Sequence, residues 1–330
     1  MTNMKLPRRR FLHLAAGAAA LPAMPQIARA QAYPTRPITI VDTFPPGGST
    51  GILARIVAER LSQTLGQQVV VDQRGGAGGT LGARQVARSA PDGYTLMLGF
   101  TSNLATGPSL YPNVGYDPRK DFAPIGLIGT APYSLVAHPS FEAISISKLI
   151  DYAKRNPGKV SYGSPGIGTG GHIAGELLAS MTSIKLAHIP YRGSGPAVAD
   201  LMGGHIPLAF APIPVTYEST KNGTLRMLGI TSASRSRLLP ELPTVAEQGV
   251  PGYDAVLRYG LVAPAGTPRS VIDRLNKELN AALTHDDVRA RFVTLGTEVL
   301  TSTPEEHSAD IAREVSKWSA LIATLGIKGE

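Results

Sequence analysis

The chain contains no cysteine. Disulfides, thiolate metal sites, a cysteine nucleophile and the lipidated cysteine of a lipoprotein anchor are therefore excluded. No His-Glu-x-x-His or other metal-ligand spacing occurs, and no cofactor is expected. After residue 30 no apolar run reaches the ~18–20 residues that a membrane-spanning helix needs. Basic surface is scarce as well. Lys and Arg number 32 against 24 Asp and Glu, but Lys5, Arg8, Arg9, Arg10 and Arg29 precede residue 31, which leaves 27 against 24. The formal charge of +8 is mostly a property of the N-terminus. No Lys/Arg cluster remains to form the basic face of a nucleic-acid binder.

That N-terminus has its own logic. Arg8-Arg-Arg-Phe-Leu12 precedes an alanine-rich apolar stretch to about Ala28, broken by Pro22 and Pro25, and Ala28-Arg-Ala30 is a small-x-small cleavage signal. This is the layout of a twin-arginine-like export signal over residues 1–30, and it predicts a periplasmic mature chain. A membrane anchor is the alternative, disfavoured by the short, proline-broken stretch. The remaining ~300 residues suit about two domains at ~100–200 residues each. Without disulfides, they are held together by their core alone.

Along the mature chain, strand-like and helix-like patterns alternate. Ile38–Val41, Val69–Val71 and Tyr94–Phe100 read as strands. A helix from Ser49 to about Leu65 follows the first, and one near Thr80–Arg88 precedes the third. Strands separated by helices indicate parallel βαβ units and an open α/β sheet. After a helix over Ser145–Arg155, the pattern restarts with strand Val160–Gly163, a helix from about His172, strand Lys185–Tyr191, helix Pro196–Met202, and strands Ile206–Ala211 and Leu225–Thr231. Thr267-Pro268 and Thr303-Pro304 read as helix starts. Trp318, on the stripe with Ile311, Val315, Ile322 and Leu325, is a core residue. Tyr133-Ser-Leu-Val-Ala-His-Pro139 and Tyr259-Gly-Leu-Val-Ala-Pro264 look like twins. They predict two hinge crossings between one lobe of residues 33–136 plus 258–330 and another of 137–257.

Two glycine-rich strand-to-helix loops carry the chemistry. Ligands of an open parallel sheet bind beyond the carboxyl ends of its strands, where the first helical turn offers unpaired N–H groups and a positive dipole end. The first loop is Phe44-Pro-Pro-Gly-Gly-Ser-Thr-Gly51 and the second is Ser164-Pro-Gly-Ile-Gly-Thr-Gly-Gly-His172. Facing each other across a cleft, they would hold an anionic group. Each loop has a rival reading. Gly47-Gly-Ser-Thr-Gly51 matches the G-x-S-x-G elbow of a hydrolase, with Ser49 as nucleophile and His138, His172, His188, His205, His285 and His307 as candidate bases. It follows the first strand, however, so no earlier loop could supply an oxyanion hole. Gly166-x-Gly168-x-x-Gly171 matches the dinucleotide fingerprint, with Arg192 about 21 residues on, but the expected acid is missing.

Arg36-Pro-Ile-Thr-Ile40, Phe44-Pro-Pro-Gly-Gly48, Asp72-Gln-Arg-Gly-Gly-Ala-Gly-Gly79 and Pro91-Asp-Gly-Tyr-Thr-Leu96 occur in that order. Tyr162-Gly-Ser-Pro-Gly166, Pro190-Tyr-Arg-Gly193, Leu242-Pro-Thr-Val-Ala-Glu247 and Leu261-Val-Ala-Pro-Ala-Gly-Thr-Pro268 follow. Together they resemble the Bug-type extracytoplasmic receptors of tripartite tricarboxylate transporters, over essentially the whole mature chain. The resemblance implies a type II periplasmic-binding-protein fold of two hinged lobes. It also implies a small organic acid as ligand, a membrane permease as partner, a monomeric receptor and no catalysis. A ligand sensor for a membrane regulator fits the same resemblance.

By position, the family's ligand contacts carry over to Phe44, Gly48, Ser49 and Thr50 in the first lobe and to Ser164, Gly168, Thr169 and His172 in the second. Thr101, Ser102 and Tyr191 are further candidates. Two departures stand out: Gly51 stands where the family's first loop commonly has Asp, and Ala211 and Pro212 stand where the strand Ile206–Ala211 commonly ends in Asp. Loss of two cleft-facing carboxylates predicts a di- or polycarboxylate, or an aromatic carboxylate packed on Phe44, rather than an amino acid.

Overall fold

In the computed structural model, residues 33–329 are described apart from 45–48 and 112. The export signal, and Gly48 among the candidate ligand residues, lie outside the described residues. Ile38–Asp42 (β1), Val69–Gln73 (β2) and Thr95–Phe100 (β3) are short runs rich in branched and apolar side chains. The central strand β1 pairs in parallel with both β2 and β3. Parallel neighbours need crossovers, and helices Ser49–Leu65 (α1) and Thr80–Ala87 (α2) supply them. Leu53, Val57, Leu61 and Leu65 recur every four residues on α1 and are all buried, so the helix lays one apolar stripe on the sheet.

The chain then passes through a π-helical turn, Ser102–Thr106, and a short helix, Gly107–Leu110 (α3), into a 16-residue strand, Phe122–Ala137 (β4). Helix Ile146–Arg155 (α4) leads to the second parallel unit. Its strands are Val160–Ser164 (β5), Leu186–Pro190 (β6) and Leu208–Pro212 (β7), linked by helices Gly170–Thr182 (α5) and Ser194–Met202 (α6). Helix Ile213–Lys221 (α7) and strands Arg226–Ile230 (β8) and Val256–Pro264 (β9) follow. Helices Arg269–Thr284 (α8) and Asp286–Thr294 (α9), strand Glu298–Val299 (β10) and helix Pro304–Leu325 (α10) complete the chain.

The strands run in the order β2-β1-β3-β9-β4-β7-β5-β6, with β10 and β8 pairing β4 outside this path. The long strand β4 joins the two parallel units. Phe122–Pro132 pairs antiparallel with β9, and Tyr133–Ala137 pairs antiparallel with β7 and β8. The partner set therefore changes between Pro132 and Tyr133. No helix among the described residues is long and apolar enough to cross a membrane.

Several elements differ from expectation. The first half of β4, to which the sequence patterning assigns no element, contains Pro124, Gly126, Gly129 and Pro132. They are accommodated by register shifts at Pro124/Gly126 and Leu127/Gly129, where the strand yields without ending. The twin stretches lie in different surroundings: Tyr133–Ala137 pairs β7 and β8, whereas Tyr259–Val262 pairs β3. Thr267 does not cap its helix. Its hydroxyl donates to the Pro264 carbonyl, and Pro268 takes the cap position of α8. Helix α9 and strand β10 have no counterpart in the sequence reading. Thr303 does cap α10, in a reciprocal box with Glu306, and Ile311, Val315, Trp318 and Ile322 are buried along it. Thr303→Ala should cost about 1 kcal/mol, read as a lowered urea midpoint at unchanged slope.

Candidate functional site

Two adjoining cavities open where the carboxyl ends of the parallel strands face each other. They share Phe44, Pro165, Thr169, Arg192 and Gly193. One, of about 680 Å³, extends along Ala77–Gly79, Tyr111, Ile167 and Tyr191. The other, of about 460 Å³, extends along Thr50, Ser102, Ser194 and Gly195, with Phe100, Tyr133, Pro212, Pro214, Val215, Leu257 and Tyr259 forming its apolar wall. Both volumes fall in the ~300–1,000 Å³ range of small-molecule sites.

The first loop is organised by a buried carboxylate. Asp42, fully buried at the end of β1, accepts the Phe44 N–H at 3.2 Å, the Thr50 hydroxyl at 3.2 Å and the Gln73 amide at 3.1 Å. It thus ties together both ends of the loop. Burial pushes its pKa up, against those hydrogen bonds. A Cβ at Gly51 would lie 2.5 Å from Gln73 Nε2 and 3.1 Å from Asp42 Oδ2, so a side chain there would displace the amide from the carboxylate. The last glycine of the hydrolase-like match is accounted for by this contact. The Phe44 ring packs edge-on against Phe100, centroids 5.0 Å apart, and Asn103 bonds both the Phe100 N–H and the Thr43 hydroxyl, joining the ends of β1 and β3.

The second loop is built from close packing. Gly166 and Gly168 have φ of +139° and +73°. Gly170 and Gly171 lie against the Tyr133 ring, where a Cβ would come within 2.6 Å of Tyr133 Cε2 and 2.7 Å of the Phe210 carbonyl. The dinucleotide-like glycine spacing therefore answers to chain packing. Thr169 donates its hydroxyl to the Gly166 carbonyl at 2.7 Å, so α5 begins without a side-chain cap. Helix α6 likewise lacks one, its N-cap residue being Gly193. The starts of both helices lie at the cavity wall and present N–H groups and positive dipole ends to it.

Behind this loop, His172 and His188 stack with centroids 3.9 Å apart and planes 14° from parallel. The Gly168 N–H donates to His172 Nδ1 at 3.0 Å, which leaves the neutral ring's proton on Nε2. His188 Nε2 lies 2.6 Å from the Ser164 hydroxyl. Burial lowers the pKa of His172 to about 4 and that of His188 to about 3, the latter helped by His172 itself. Glu176, 3.8 Å from His172 Nε2, accepts the Tyr162 hydroxyl and has its pKa raised by burial.

Of the expected ligand residues, Phe44, Thr50, Ser102, Thr169 and Tyr191 line the cavities. Ser49 begins α1, but its side chain is outside the described residues. Ser164, Gly168 and His172 stand behind the wall as its supports. Thr101 instead accepts the Arg258 N–H at 3.0 Å, away from both cavities. Of the two residues at the end of β7, Ala211 belongs to the apolar cluster with Val136, Val198, Leu201 and Leu225, and Pro212 lines the cavity. Gly51 itself is packed against Gln73 and Asp42 behind the first loop. Arg192, in the Pro190-Tyr-Arg-Gly193 motif, lines both cavities although it is not among the expected ligand residues. It is the one charged side chain among the described residues lining either cavity.

Residues 53–327 match the model of the tripartite tricarboxylate transporter family receptor. Protein BugT of Bordetella pertussis is 39% identical over 300 residues, covering 91% of this chain and 92% of that one. Among solved structures, Rpa4515 of Rhodopseudomonas palustris with adipate aligns at a TM-score of 0.82 and 35% identity, over 90% of this chain and 99% of that one. MatC of the same organism, with bound malate, aligns at 0.78 and 30%, over 88% and 100%. The chain belongs to the receptors of the tripartite tricarboxylate transporter family. Its fold is that of a periplasmic solute-binding protein, with two lobes and the ligand cleft between them. The family is one of receptors, so Ser49 is not a nucleophile.

The histidine pair makes the loop acid-sensitive. The ordinary imidazole value is 6.5, and the folded values are about 4 and 3. The folded state therefore binds fewer protons than the unfolded one in that window. Stability is full above about pH 6.5 and falls as pH drops towards 4 and 3. Glu176 and Asp42, with raised values, act in the opposite sense. The urea midpoint should be flat above pH 7 and decline below 6.5. The double variant His172→Gln/His188→Gln should flatten the decline, leaving the part due to buried His307, which is also held near 3.

Proposed function

We propose that this receptor captures a small organic carboxylate lacking an ammonium group and delivers it to a two-component membrane permease. It does so as a periplasmic monomer released by cleavage after Ala30. The ligand lies between one lobe of residues 33–136 plus 258–330 and another of 137–257, joined through β4 and the segment entering β9. Ser102 offers its hydroxyl to a ligand carboxylate, together with the backbone donors at the starts of α1 and α5, while Thr50 and Thr169, whose hydroxyls are given to Asp42 and the Gly166 carbonyl, shape the seat. Ser49 and Gly48 complete the first seat, and Tyr191 and Phe44 flank it.

One observation carries the reading. Among the described residues, the lining of both cavities includes no Asp or Glu and a single cation, Arg192. An amino-acid ligand would bury its ammonium group without a counter-charge, at a cost of several kcal/mol. Asp42 does not supply one, because its oxygens already accept three hydrogen bonds behind the loop. The adipate and malate of the two Rhodopseudomonas structures are acids without an amine, which supports the same class of ligand.

Thermal-shift measurement on the mature chain tests this. A diacid at one hundred times its Kd should add about 2.7 kcal/mol of stability and raise Tm by several degrees. Stabilisation by aspartate or glutamate, with none by plain diacids, would overturn the reading.

A further inference from the structure

Arg192 occupies an unusual position for an arginine with no structural task. Its neighbours are pinned to the second loop, with the Tyr191 N–H donating to the Ser164 carbonyl at 3.0 Å and the Gly193 N–H to the Pro165 carbonyl at 3.0 Å. The Tyr191 hydroxyl is fastened to Asp200 at 2.7 Å. The backbone at Arg192 is thus fixed from both sides. Its guanidinium, by contrast, makes no hydrogen bond or ion pair with any described residue, is exposed, and borders both cavities.

Electrostatics give that placement only a small, solvent-screened penalty when no ligand is bound. Helix α6 starts at Ser194, and its positive dipole end repels a cation two residues before it. A shared anion turns the repulsion into cooperation, since the guanidinium fork and the N–H groups of Ser194 and Gly195 can all donate to one carboxylate. This corner is distinct from the hydroxyl-lined seat of Thr50 and Ser102, which border only the smaller cavity and lie in the lobe opposite Arg192.

Resting on the carboxylate reading above, we infer that Arg192 binds a second anionic group of the ligand. The receptor thereby selects dicarboxylates with an apolar spacer over monocarboxylates of the same length. The spacer would run along Phe44, Pro165 and the apolar wall at Tyr259 and Leu257.

Isothermal titration of the mature chain with succinate through suberate, and with butanoate through octanoate, provides the test. The wild type should bind its preferred diacid at least about tenfold more tightly than the monoacid of equal length, the scale of one charge-assisted contact. Arg192→Gln should remove that preference by weakening the diacid while leaving the monoacid within about twofold. Arg192→Lys, which keeps the charge and loses the fork, should fall between them. Unliganded melting temperatures should not move, because the side chain is exposed. Equal weakening of both acids by Arg192→Gln, or no effect on either, would overturn the inference and leave the carboxylate reading standing. A wild type that binds neither series would overturn both.

Discussion

One strand has to satisfy two sheets, and the architecture follows from that. Phe122–Ala137 meets β9 through its first eleven residues and β7 and β8 through its last five. Each side must then close its own core with its own helices. Both parallel units aim the carboxyl ends of their strands at the gap that β4 spans. A binding cleft is the geometric result of splitting a single sheet between two cores along a shared strand.

Within that cleft, the division of labour between backbone and side chain is unusually clean. Apart from Arg192, the polar groups at the cavity wall are hydroxyls and backbone groups at helix starts, which cannot change charge near neutral pH. The ionisable groups Asp42, Glu176, His172 and His188 are set behind the wall, where they fix loop shape. Burial keeps the two histidines neutral. Arg192 alone brings a formal charge to the lining. An anion seat made of dipoles needs little rearrangement when the ligand arrives.

Much of this was legible in the sequence. The αβ alternation, the two glycine-rich loops, the Thr303 cap and the Trp318 stripe follow from local spacing, and local spacing is what a single sequence exposes. What escaped it depends on distant partners. Pro124 and Gly126 look like strand breakers until β9 is there to absorb their register shifts. Ala211 looks like a strand end beside the cleft until the cluster with Leu201 and Val136 claims it. Gly51 looks like the last glycine of a hydrolase elbow until Asp42 and Gln73 appear from β1 and β2, 9 and 22 residues away in the chain but within 3.1 Å of each other. Arg192 was visible as a motif residue, but its lack of a partner became visible only in three dimensions.

Gly168 sets a mechanical limit on the molecule. At φ of +73° it passes so close to Leu110 that a Cβ would come within 2.1 Å of the leucine's Cδ1, and its carbonyl accepts the Thr106 hydroxyl at 3.0 Å. Leu110 and Thr106 follow β3, whereas Gly168 follows β5, so this is a point where the two halves of the sheet touch through their loops. A missing methyl group there works as clearance in a jaw. Any larger residue would act as a doorstop, and the least gap the jaw can reach would then be fixed by a side chain that never meets the ligand.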